Sequence, residues 1–204
     1  VSGNWKNPAS WTPQRISPAA NDVLVFNGSI QPNPSISLDF TTAENMGRLR
    51  LINNINVTIA ASSASRRINV GAAGSVSPQI EITTGSALAV NSVNPINIHL
   101  PAGYMASISG NILFQHATHT FTAATSNGIT FNNGASFTAG SNFSGNAFGI
   151  GTPNSVLFAN GSSYIQSGGN NPFALPLPGS VVVFDEGSFY KFNASTGAPD
   201  LSGR

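Results

Sequence analysis

Three histidines, seven acids and one basic doublet are the side chains of this 204-residue chain that could do acid–base or metal chemistry. His116 and His119 are close in sequence and would need a third ligand to hold zinc. Gln115 and the neighbouring threonines are poor zinc ligands, no acid is near, and His99 lies less than a full repeat upstream. The histidines therefore read as rim or loop residues. The acids are Asp22, Asp39, Glu44, Glu81, Asp185, Glu186 and Asp200. Sugar hydrolysis needs two carboxylates facing each other across the substrate, and calcium needs several oxygen ligands. Only Asp185 and Glu186 are adjacent, and they fall in a turn. A route to convergence stays open: distant loops could bring Asp39 or Glu44 beside His99 or His116. No Gly-x-Ser-x-Gly elbow is present, and the absence of cysteine removes thiol chemistry. Arg66-Arg67 lies in the longest gap between repeats and reads as an excursion loop. The expectation is a protein without catalytic, cofactor-binding or metal residues, needing no cofactor and not an enzyme.

The elements that carry these residues come from a repeat. Ile129-Thr-Phe-Asn-Asn-Gly-Ala-Ser-Phe137, Val156-Leu-Phe-Ala-Asn-Gly-Ser-Ser-Tyr164 and Val182-Val-Phe-Asp-Glu-Gly-Ser-Phe-Tyr190 share one pattern. Extended backwards, it gives seven units centred on positions 28, 54, 85, 110, 134, 161 and 187, with Asn54 in a glycine place. Five residues before each centre stand Val23, Leu49, Ile80, Met105, Ile129, Val156 and Val182, all apolar. Three before stand Val25, Leu51, Ile82, Ser107, Phe131, Phe158 and Phe184, and three after Gln31, Val57, Leu88, Leu113, Phe137, Tyr164 and Tyr190. Apolar residues two apart before a turn, and again after it, are strand pairs. The near-constant spacing of the later centres stacks like residues along an axis, as in a β-solenoid. The expected fold is all-β: a right-handed parallel β-helix of about seven rungs in one domain. Its handedness is taken from known folds with rungs of this size. A β-sandwich is the alternative, since Asn-Gly is also a hairpin signal.

Within that domain, residues 1–21 read as an N-terminal cap, 22–193 as rungs and 194–204 as a polar tail. Trp5 and Trp11 should lie against the first rung near Val23 and Val25. Arg50 and Glu81 share a column and should pair across rungs. Asn27, Asn53, Thr84, Ser109, Asn133, Asn160 and Glu186 precede the turn centres and form a partial side-chain ladder. No phenylalanine lies between Phe40 and Phe114, and eleven follow from 114 onwards, so the later rungs have the aromatic core.

Composition sets the surroundings. Only 7% of residues are charged and the net charge is +1, which argues against a dedicated nucleic-acid binder, since that needs a basic field to meet phosphate. Asn, Ser and Thr together make up almost a third of the chain, an extracellular all-β profile. No apolar run is long enough for a membrane helix. The opening Ser2-Gly-Asn-Trp-Lys-Asn-Pro-Ala-Ser-Trp11-Thr-Pro, then Pro18-Ala-Ala-Asn-Asp-Val-Leu-Val-Phe-Asn-Gly28, resembles the start of β-helical, adhesin-like modules in secreted or surface proteins of Bacteroidota. It is also similar to the openings of autotransporter-like β-strand repeat proteins. The resemblance covers only this opening, as far as Gly28. It implies export, surface attachment or an extracellular stalk within a larger chain, with Trp5 and Trp11 in the cap and Asn21-Asp22 in the turn entering the first strand. The function expected is a structural or adhesive module, secreted or on the cell surface and monomeric. Its expected partners are extracellular glycans or other surface proteins, not nucleic acid. A carbohydrate-binding or polysaccharide-degrading β-helix is the alternative, and a phage-fibre solenoid is a third reading.

Overall fold

The computed structural model describes residues 2–194 and 199. The chain winds into a parallel β-solenoid of about seven turns with three sheets. One sheet has eight strands: Gly3–Asn4, Ser35–Leu38, Asn56–Ala61, Ala87–Val90, Asn111–Phe114, Ser136–Ala139, Ser163–Gln166 and Phe189–Phe192. The second has seven: Val23–Asn27, Arg48–Ile52, Ile80–Ile82, Ala106–Ile108, Ile129–Phe131, Val156–Phe158 and Val182–Phe184. The third has four: Ala43–Met46, Arg66–Val70, Ile96–Leu100 and Thr120–Ala123. Every strand pairs in parallel with its counterpart one rung away, as Val156 does with Val182 and Phe158 with Phe184. The polar tail, 194–204, falls almost wholly outside the described residues.

Alternation within each strand builds the core. Leu51, Ile82, Ile108, Phe131 and Phe158 point inward in the seven-strand sheet, and Leu88, Ile112, Phe137 and Tyr164 in the eight-strand sheet. The aromatic half is as the phenylalanine distribution predicts. Phe131 and Phe158 stack 4.4 Å apart and 1° from parallel, and Phe184 continues the stack 4.9 Å beyond Phe158. After Ala123 the third sheet stops. Phe148, from the strandless segment 140–155, fills that side of the lumen and lies within 4.8 Å of Phe137.

Two rungs have a register different from the glycine-based alignment. In the first, Leu24 and Phe26 face inward and pair with Leu49 and Leu51, while Val23 and Val25 are exposed. In the fourth, Ala106, Ile108 and Ile112 face inward, Met105 is exposed, and Ser107 and Leu113 point outward. The eight-strand sheet in the first rung begins at Ser35, so Ile36 rather than Gln31 fills its core position. The cause is that glycine serves two purposes. Gly85, Gly134, Gly161 and Gly187 have φ near +80° and make the left-handed turn. Gly28 and Gly110 have no positive φ; only two residues separate the strands at Gly110, whereas at Gly28 the next strand waits until Ser35. A Cβ on either would collide with a backbone oxygen of the neighbouring rung, Asn53 O or Ser86 O.

Candidate functional site

The cap brings two aromatic and three charged side chains together from separate parts of the chain. Gly3–Asn4 pairs with Ile36 and Ser37, so the chain's start is tied to the first rung as an extra strand. Trp5 is buried, lies edge-on to Phe40, and donates its indole N–H to Glu44 Oε1 at 2.8 Å. Trp11 is half-buried, packs 5.6 Å from Phe26, and donates to the Trp5 carbonyl at 2.8 Å. Both tryptophans cover the first rung as expected, but on Phe26 and Phe40 rather than on the outward-facing Val23 and Val25. Arg15 is also buried. Its guanidinium carbon sits 5.9 Å from the centre of each indole, and the group pairs with Asp22 at 2.6 Å and with Glu44. Burying a cation requires such partners: two carboxylates face its charge, with one negative charge in excess, and two π faces solvate it. The assembly is a structural clamp that ties the lead-in to the first rung.

Beside the clamp, segment 9–17 and strand Val23–Asn27 enclose a cleft of about 1050 Å³. Ile16 and Ile30 on its walls are 74% and 81% exposed.

The other expected positions are dispersed. Asp39 Oδ1 accepts from the Lys6 backbone N–H at 2.8 Å. Among the described residues, neither Asp39 nor Glu44 is joined to a histidine; Glu44 is turned on Trp5 and Arg15. Glu81 pairs with Arg50 at 2.6 Å as the columns imply, and Arg48 joins at 3.0 Å while donating to the Pro78 carbonyl. Asp185 and Glu186 lie in the last described turn, and both are exposed. Asp200 lies outside the described residues. The Arg66-Arg67 doublet opens a strand of the third sheet instead of an excursion loop. Arg66 turns inward, donating to Ser65 O and Ser63 Oγ, and Arg67 turns outward onto Asn69. Among the described residues, no three of His, Asp and Glu converge as a metal-ligand group, and no helix is long and apolar enough to cross a membrane.

The polar ladder forms in part. Asn53 donates to Asn27 Oδ1 at 2.9 Å, Asn133 to the Asn160 carbonyl at 3.2 Å, and Asn160 to the Glu186 carbonyl at 3.0 Å. These bonds satisfy turn groups between rungs.

The histidines divide. His99 faces outward, hydrogen-bonded through Nδ1 to Thr122 Oγ1 at 2.9 Å; burial and then the Arg67 charge lower its pKa. His116 is half-buried in a loop. His119 is a correction to the rim assignment: it is fully buried, edge-on to Phe114 and stacked on Phe143. Its position places it one rung above Ile96, whose N–H donates to His119 Nδ1 at 3.1 Å. A ring accepting at Nδ1 carries its proton on Nε2. Burial, and next the neighbouring His116, lower its pKa to about 4, while its polar contact with the Ser92 backbone opposes the shift. The folded value lies below the unfolded one of about 6.5, so its contribution is complete above pH 6.5 and declines as pH falls toward 4. Urea melts should show a loss of about 2 kcal/mol between pH 7.5 and 5. His119→Gln should flatten that slope; an equal slope in the variant would remove His119 as its source.

The rings available to a sugar are few. Tyr164 is buried, with its hydroxyl pKa pushed up by that burial and then by Tyr190. Tyr190 donates to Gln166 Oε1 at 2.6 Å, and burial raises it to about 12. Tyr104 is half-buried over Gly71. Phe189 is 62% exposed. Comparison with protein-family models, with curated proteins and with solved structures finds no match to this chain.

Proposed function

We propose that this chain is a structural or adhesive module of the cell exterior, a rod segment without catalysis that presents a flat face to extracellular glycans or other surface proteins. The outward face of the eight-strand sheet carries this reading. From Ser35 to Ile165 its strand residues are Ser, Thr, Asn, Ala, Leu and Ile, with no charged side chain. Strands one rung apart repeat at about 4.8 Å and hold those groups at fixed spacing. Such a face adheres by many weak contacts. The opening's resemblance to secreted and surface modules of Bacteroidota supports export, and the abundance of Asn, Ser and Thr agrees with it.

Phe189 favours a second reading, carbohydrate binding. Its exposed ring lies on this same face beside the Lys191 column, a stacking platform next to a hydrogen-bond donor.

A pull-down on insoluble polysaccharides, paired with turnover assays on pectins, alginates, glycosaminoglycans and xylans with and without Ca²⁺, tests both. The expected result is retention without turnover. Retention lost in Phe189→Ala would select the carbohydrate reading. Turnover abolished by changing Glu44, Glu81, Asp185 or Glu186 would replace the structural reading with an enzyme.

A further inference from the structure

Strand Val23–Asn27 ends the seven-strand sheet, and its far side opens into the cleft under segment 9–17. Backbone bonding shows which groups face that cleft. Arg48 donates to the Asp22 carbonyl and Gly28 donates to the Ile52 carbonyl. Even-numbered residues therefore turn their N–H and C=O toward strand Arg48–Ile52. Alternation turns those of Val23 and Val25 the other way, into the cleft. An unpaired strand edge beside exposed apolar side chains is a template for another strand.

We propose that this cleft is a strand-addition site. It takes one extended, uncharged polypeptide segment as long as the strand itself, which pairs in parallel with Val23–Asn27 as an eighth strand of the sheet. Three observations select that occupant. The charged cleft residues, Arg15 and Asp22, are paired with each other, so the cleft offers no free charge to a charged ligand. Val23, Val25, Ile16 and Ile30 present apolar groups, which suit β-branched side chains at alternate positions of the guest. Trp5 and Trp11 already cover the lumen end on Phe40 and Phe26, so a whole rung of a second copy cannot stack there, whereas one strand can enter from the side. A strand of this length spans roughly 17 Å, which sets the segment the edge can hold.

The probe is a capped synthetic hexapeptide with the sequence of Gly179–Phe184, Gly-Ser-Val-Val-Val-Phe, an uncharged strand former from the other end of the same sheet. Amide chemical shifts of Val23 and Val25, with Trp11 fluorescence, report its binding. Saturable binding that moves both amides is expected. Val25→Pro removes a cleft-facing N–H and no ladder bond, and should weaken binding at least ten-fold with an unchanged melting temperature. A peptide methylated on alternate backbone nitrogens should fail on the unaltered protein, which keeps the test independent of how the variant folds. Unmoved Val25 amide at millimolar peptide, or equal binding of the methylated peptide, would overturn the site. Concentration-dependent dimers of the unaltered protein that Val25→Pro abolishes would assign the edge to a second copy and overturn the single-segment proposal.

Discussion

Phe158→Ala should lower the free energy of unfolding by about 3–5 kcal/mol, the range for deleting a large buried ring. Phe158 is wholly enclosed. Phe131 and Phe184 stack on its two faces at 4.4 and 4.9 Å, and Tyr164 meets it edge-on at 5.8 Å. Those neighbours sit on strands fixed by the parallel ladder, so they cannot close in on the hole left behind. The cost includes the empty volume as well as the lost transfer of the ring out of water. A urea melt showing a loss below about 1 kcal/mol would contradict this packing.

Arg15→Leu should be comparably severe, roughly 3–5 kcal/mol, because it leaves a buried carboxylate without its counter-charge. Glu44 has only 10% of its side chain exposed and would keep the Trp5 N–H as its side-chain donor among the described residues. The leucine itself fits an apolar setting between two indoles, so the damage comes from the stranded acid. Adding Glu44→Gln should recover much of the loss. A double-mutant cycle with a coupling of more than about 1 kcal/mol is expected; additive effects would show that the two side chains act independently. Trp5 fluorescence follows the clamp directly.

How far the fold could be read depended on what each residue type reveals. Seven rungs were legible because Gly134, Gly161 and Gly187 do the same thing in the same place, one left-handed turn per rung. The alignment slipped at Gly28 and Gly110 because glycine there answers a different need, close approach of backbones, and a sequence does not separate the two. Arg50 and Glu81 were readable as column mates. Arg48 was not, because it stands outside their column, and only its long side chain reaches the same acid. The two tryptophans marked the cap, but Arg15 gave no signal. Its partners Asp22 and Glu44 lie on separate elements further along the chain, and only the folded cap unites them. His119 sits among threonines and a second histidine, a context that reads as surface. Its burial follows from the strand that begins at Thr120 and from Phe143 in the next turn, a contact no local pattern encodes.

The parallel ladder also governs how such a molecule can change its reach. Seven strands at about 4.8 Å spacing make a sheet about 29 Å across, so height accrues only in whole steps, one per added coil. Extra residues in a corner, such as segment 140–155, widen the cross-section and add nothing to the height. Lateral embellishment and axial extension are thus separate variables. Corners can acquire bulk or new surface without moving the two ends apart, and a taller version must duplicate a complete coil.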